Sequence, residues 1–129
     1  MQNAVFNIQD QSDFKTCALQ VFRHQFKNNA IYRSFCDLLY IHSSDVKEVE
    51  EIPFLPIQFF KSHAVLSSIQ AVQETFTSSG TTGSSISKHM VTDVSWYKKS
   101  YTKGFEHFYG PIEEYTVLGL LPNYLERDG

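Results

Sequence analysis

Residues 77–87 read TSSGTTGSSIS, and apart from Ile86 none of them can add to a hydrophobic core. Any fold of this chain must carry the segment along a surface. Its backbone N–H and C=O groups need water, a turn or a ligand to satisfy them. The segment also divides the chain. Two helix-patterned stretches and a proline-containing connector precede it; a third helical stretch and an apolar C-terminal run follow. Composition alone leaves two readings open. One is a flexible Gly/Ser linker. The other is a loop whose glycines let backbone N–H groups converge on phosphate.

The remainder has the composition of a folded protein. At 129 residues the chain has the length of one domain or a piece of one. A 42% hydrophobic and 19% charged composition excludes a disordered chain, and eleven Phe with seven Tyr supply large side chains to bury. The net charge of −3, with no Lys/Arg cluster, points to neither a nucleic-acid nor a membrane partner. No apolar run approaches the roughly 20 residues of a membrane span. The opening MQNAVFNIQDQSD lacks the basic start and apolar core of a secretion signal. The expectation is a soluble, cytoplasmic protein in which Cys17 and Cys36, each within an apolar helical stretch, are buried reduced thiols.

Ser12 is placed to cap a helix over 13–27, with Phe14, Cys17, Ala18, Val21 and Phe22 on one face. After NNA a second helix is expected over 31–41, its face formed by Ile31, Tyr32, Phe35, Leu38 and Leu39. The two form a helical hairpin over about 12–41, the two faces being the natural pair. Glu48, Glu50 and Glu51 read as a solvated acidic patch, since no His or turn geometry accompanies them as in a metal loop. Pro53 and Pro56 hold IPFLP extended, and Pro56 suits the first turn of a short helix, PIQFFKSH. AVLSS, AVQETFTSS and KHMVT read as strands. Asp93 caps a third helix over 94–108, with Val94, Tyr97, Tyr101, Phe105 and Phe108 expected to be buried. YTVLGLLP is an apolar run without alternation, as expected of a strand buried on both faces. The expected class is α/β, a helical hairpin followed by a partial β-sheet with a packed helix over about 52–129.

Several familiar chemistries are excluded by spacing. Only two residues separate Gly80 from Gly83 and the nearest lysine is Lys88, so the Walker A pattern fails. There is no Gly-x-Gly for a dinucleotide and no Gly-x-Ser-x-Gly elbow. No histidines have metal-ligand spacing. His24 and His42 lie on or beside helices and read as surface residues, His63 and His107 have no partner in sequence, and His89 is of interest only because it lies close to the loop.

FTSSGTTG resembles the phosphate-binding loop of adenylate-forming enzymes. With IPFLPIQFFKSHAVLS before it and VLGLLPNYLERDG after it, the stretch from about Ile52 to Gly129 resembles the acyl-protein synthetase (LuxE-type) branch, relatives of phenylacetate-CoA-ligase-like enzymes. The resemblance implies an ATP- and Mg2+-dependent enzyme that forms an acyl-adenylate from a carboxylic acid, expected to be a fatty acid, and passes the acyl group to a thiol, on a protein cysteine or CoA. It places Thr77, Ser78, Ser79, Gly80, Thr81, Thr82 and Gly83 around the ATP phosphates. Many superfamily members follow the loop with Pro-Lys-Gly, whereas this chain has SSISKH. Lys88 either replaces that lysine or is a charge at a strand edge. Leu125 stands where a histidine often lies, so no catalytic residue is carried over, and Tyr124 either lines the acyl pocket or is a core tyrosine. The motifs for adenine, Mg2+ and the catalytic lysine lie further along in the family. The resemblance thus implies that 1–129 is the N-terminal part of one adenylate-forming domain in a protein of roughly 300 or more residues, inactive alone. An open sheet edge would favour a homodimer. The alternative is a non-catalytic phosphate-binding or interaction domain that keeps only the loop; a third reading uses the segment as a linker.

Overall fold

A computed structural model describes residues 4–78 and 86–120. The chain divides into two compact units, Met1–Tyr97 and Lys98–Gly129. It is helix-rich, with one two-stranded antiparallel sheet, an arrangement compatible with the expected α/β class.

In the first unit, a 3-10 turn at Ala4–Phe6 precedes helix α1, Gln11–Asn28. Its cap is Asp10, not the expected Ser12. Asp10 is extended and accepts the Asp13 N–H at 2.8 Å, while Asp13 accepts the Gln9 N–H at 3.1 Å. Asp10 thus satisfies one of the free N–H groups of the first turn, and both carboxylates oppose the positive end of the helix dipole, which a neutral serine hydroxyl does not.

Helix α2, Ala30–Leu38, begins after a single residue, Asn29. The Asn29 N–H donates to Gln25 O at 2.8 Å and ends α1; its Oδ1 accepts the Tyr32 N–H at 3.1 Å and starts α2. Asn29 is 4% exposed, so its amide must be fully used, and its Nδ2 donates to Gln25 Oε1. With no slack between the helices, their crossing is set by the backbone at this residue.

The core lies in this hairpin. Leu19, Phe22, Phe26, Tyr32, Cys36 and Val46 are buried together, with Phe35, Ile41, Ile52 and Leu55 packed against them. Phe22 meets Tyr32 edge-on at 6.1 Å, and the Arg33 guanidinium lies 4.7 Å from the Phe26 ring centre. The seam of α1 is therefore Leu19, Phe22 and Phe26, spaced i, i+3, i+7. Of the stripe expected to face α2, Phe14 is 47% and Val21 36% exposed. On α2, Tyr32 and Cys36 are buried, while Leu38 and Leu39 are exposed.

Helix α2 ends in a Schellman arrangement. Ile41 N–H donates to Cys36 O and Tyr40 N–H to Asp37 O. The left-handed residue this requires is Tyr40, at φ 57°. Gly110 fills the equivalent place after α4, at φ 87°. A side chain there costs about 1–2 kcal/mol. Beyond α2, Glu48, Glu50 and Glu51 are not simply a solvated patch. Glu48 pairs with Lys15 at 2.5 Å, and Glu51 Oε2 accepts the N–H groups of Lys47 and Glu48. Those N–H groups hold the Glu51 carboxyl below its ordinary range. Both groups of the ion pair are exposed, so it adds about 0–1 kcal/mol.

The short helix expected at PIQFFKSH is α3, Phe59–Ser62. Strand β1, Glu74–Thr77, pairs with β2, Lys88–Val91. AVLSS forms no strand. Ser67 Oγ donates instead to Gln25 Oε1 of α1, and Ser68 Oγ accepts the Gln70 N–H. The second, a local side-chain–backbone bond, is of the kind that competes with a strand ladder. Helix α4, Val94–Tyr109, is capped by Asp93 as expected, through Trp96 N–H at 3.1 Å.

The boundary between the units falls within α4. In the second unit, Phe105 meets Tyr109 and Tyr115, and the Tyr115 hydroxyl donates to Tyr109 O. The expected burial of the α4 stripe is not observed: Tyr97, Tyr101 and Phe108 are exposed. Residues 115–120 form no strand, and Val117, Leu118 and Leu120 are exposed. Helical spacing and apolar content mark surfaces able to be buried; burial needs a second layer or a partner strand, and the described residues supply none here. Residues 121–122 of YTVLGLLP lie outside the described residues.

Two substitutions test the hairpin in opposite directions. Asn29→Ala should destabilise the protein by about 2 kcal/mol, through loss of the cap and an unpaired buried N–H. Tyr40→Gly should stabilise it by about 1 kcal/mol, relief of the left-handed backbone outweighing the entropy of the added glycine. Urea denaturation midpoints measure both.

Candidate functional site

The Ser/Thr/Gly segment connects two strands that pair with each other. The register runs Glu74↔Val91, Thr75↔Met90, Phe76↔His89 and Thr77↔Lys88. One step further, Ser78 N–H donates to Ser87 O at 3.2 Å, Ser87 N–H donates to Ser78 Oγ at 3.3 Å, and the two hydroxyls are 2.9 Å apart. The described residues on either side of 79–85 thus belong to one ladder. A linker between finished domains does not join paired strands in this way.

The base of this hairpin is fastened on both sides. Gln73 N–H donates to Val91 O at 2.8 Å, and Gln73 Oε1 accepts the Val94 N–H at 2.9 Å, joining β1 to the first turn of α4. Phe76 stacks on Tyr97 with ring centres 4.9 Å apart. On the other strand, His89 faces Phe60 of α3 at 6.1 Å. Asp93, which accepts from Ser95 Oγ and Trp96 N–H, has its carboxyl held below the ordinary range by those bonds.

Of the residues expected around phosphate, Thr77, Ser78 and Lys88 are described; Ser79, Gly80, Thr81, Thr82 and Gly83 lie outside the described residues, as do Tyr124 and Leu125. Thr77 and Lys88 are cross-strand partners at the open end of the hairpin, which brings a hydroxyl and a cation to the mouth of the loop. The Ser78 N–H is committed to the ladder, and its Oγ accepts from Ser87. Serine and threonine hydroxyls and one ammonium are donors suited to an anion such as phosphate. Sequence reading missed Ser87 and Gln73, whose roles depend on strand register.

A second feature lies along α1. The stripe Phe14, Cys17, Ala18 and Val21 forms one wall of an apolar cavity of about 340 Å³, with Ile52 and Leu55 among the residues that line it. Gln25 is a polar member of the wall, and it holds Ser67 from the segment that leads to β1. Tyr32 also lines the cavity, with its hydroxyl donating to Pro53 O at 2.7 Å. Periodicity found this stripe correctly but assigned it to α2; spacing defines a face and does not identify its neighbour.

Both cysteines are free and buried, as expected. Cys36 is 0% exposed, and burial pushes its thiol up from the ordinary value, so it is a poor nucleophile. Burial likewise raises the Tyr32 hydroxyl, which stays a proton donor to Pro53 O. Among the described residues no three His, Cys, Asp or Glu side chains gather as metal ligands, and no helix is long and apolar enough to cross a membrane.

Comparison with known proteins bears on the whole chain. A family model described as acyl-protein synthetase, LuxE, matches residues 4–122. A long-chain-fatty-acid–luciferin-component ligase of Photorhabdus luminescens is 34% identical over 70 residues, which cover 54% of this chain and 60% of that relative. The chain thus spans less than two thirds of the relative it matches. No solved structure matches it.

The two thiols should differ in reactivity. Cys17 lines the cavity and Cys36 does not touch solvent. Iodoacetamide should alkylate Cys17 at least tenfold faster than Cys36 in the native protein, as followed by peptide mass spectrometry.

Proposed function

Because this chain belongs to the acyl-protein synthetase family LuxE, we propose that it supplies the phosphate loop of an enzyme that activates a carboxylic acid with ATP and passes the acyl group to a thiol. The observation that carries this reading is the closure of the Ser/Thr/Gly segment by Ser78 and Ser87 within one hairpin. A loop pinned at its neck, with glycines at 80 and 83 and hydroxyls between, can turn several N–H and O–H donors onto one polyphosphate. In the proposed reaction a carboxylate oxygen attacks the α-phosphorus of ATP, the bond to the bridging oxygen breaks, and pyrophosphate leaves. A thiolate then attacks the acyl carbon and AMP leaves.

In this reading Ser78 closes the loop, and Ser79, Gly80, Thr81, Thr82 and Gly83 contact the β- and γ-phosphates. Thr77 and Lys88 flank the mouth, where Lys88 offsets the charge of departing pyrophosphate. Mg2+ would neutralise phosphate charge. The acid is a fatty acid, as the name of the Photorhabdus relative states for that protein, and the acceptor is a protein cysteine or CoA. The helical hairpin and the β1–β2 region are parts of one adenylate-forming domain in the cytoplasm.

Carboxylate-dependent exchange of labelled pyrophosphate into ATP, measured on the full-length gene product, tests the proposal. Exchange is expected with at least one fatty acid, and its absence across a broad panel of acids would overturn the reading. Gly83→Val should lower the exchange rate by about 100-fold or more through loss of aligned donors. An unchanged rate would remove the loop from the site.

A further inference from the structure

We propose that the cavity beside α1 holds one unbranched hydrocarbon chain, the tail of a carboxylic acid of about twelve carbons. This rests on the acyl-activating reading for the identity of the acid, but the cavity is an observation of its own. Its volume, about 340 Å³, lies within the roughly 300–1,000 Å³ range of ligand pockets. An apolar cavity of about 150 Å³ takes one six-carbon ring, so the present one has room for on the order of a dozen carbons.

Shape narrows the occupant. The wall on α1 runs from Phe14 through Cys17, Ala18 and Val21 to Gln25. At 1.5 Å per residue this is about 16 Å along the helix axis. A narrow site of that length suits a linear chain better than a compact ring system. The wall is almost free of polar groups. Tyr32 spends its hydroxyl proton on Pro53 O, and the Gln25 carbonyl oxygen already accepts from Ser67 and Asn29. The site therefore offers dispersion contact with apolar side chains, which is what a methylene chain can use.

Ala18 provides the test. It is half-buried on the cavity wall and lies outside the buried core cluster, so a larger side chain there takes up cavity space without removing a core residue. In the full-length protein, dodecanoate should bind saturably by calorimetry. Each methylene removed from the chain should weaken binding about fourfold, the equivalent of about 0.8 kcal/mol. Ala18→Phe should weaken dodecanoate binding at least tenfold while sparing pyrophosphate exchange driven by butanoate. As a measurement that needs no variant, bound dodecanoate should slow alkylation of Cys17.

Equal dodecanoate affinity in Ala18→Phe and the parent, with Cys17 unprotected, would overturn the proposal; continued exchange with fatty acids would then leave the acyl-activating reading standing. Failure of dodecanoate to bind, with Cys17 unreactive from the start, would also overturn it and show that another segment fills the cavity. Protection of Cys17 by dodecanoate without exchange for any acid would sustain the cavity assignment and remove the acyl-activating reading.

Discussion

The arrangement of the first unit depends on Asn29. One buried side chain and its own N–H end α1 and begin α2, with no loop between them. A buried amide left half-paired would cost about 1–3 kcal/mol; here its N–H, Oδ1 and Nδ2 are all engaged. Because the turn is so tight, α2 meets α1 along Leu19, Phe22 and Phe26, and the neighbouring stripe of α1 is left for other contacts. The cavity is a consequence of that geometry. Gln25, which receives two of the Asn29 bonds, also stands in the cavity wall and holds Ser67.

The hairpin β1–β2 is organised by similar means on a smaller scale. Its strands are short and mostly exposed, so packing alone cannot hold it. Polar side chains at its two ends do so. Gln73 ties the base to α4, and the Ser78–Ser87 pair closes the neck. A loop rich in Ser, Thr and Gly has large conformational entropy, and fixing its two ends reduces the cost of ordering it around a ligand.

Much of this was legible in sequence, to varying depth. The three long helices, the short one at 59–62, the pairing-competent stretches around the loop and the buried state of both cysteines follow from periodicity, capping residues and apolar content. Ser12 suits the cap of α1, as does Asp10 two residues earlier, and Asp10 takes the position. Apolar content predicts strands at AVLSS and YTVLGLLP and burial of the α4 stripe, but a strand exists only where a partner ladder is available. Tyr40 has no sequence signal at all, since a left-handed residue at a helix end is normally announced by glycine.

By itself the sequence determined which residues share a face, that helices form near 11–28, 30–38 and 94–109, and that 77–87 has almost nothing to add to a core. It also carried the family resemblance, because motif order is a property of the chain. Tertiary structure alone decided what each face meets. The stripe Phe14, Cys17, Ala18 and Val21 became a cavity wall, Ser78 became the neck of a loop through Ser87, and Lys88 came opposite Thr77. Local rules act over the few residues of a helical turn or a strand pleat. Partners distant in sequence are chosen by the crossing at Asn29 and the register of β1 on β2, which no local pattern encodes.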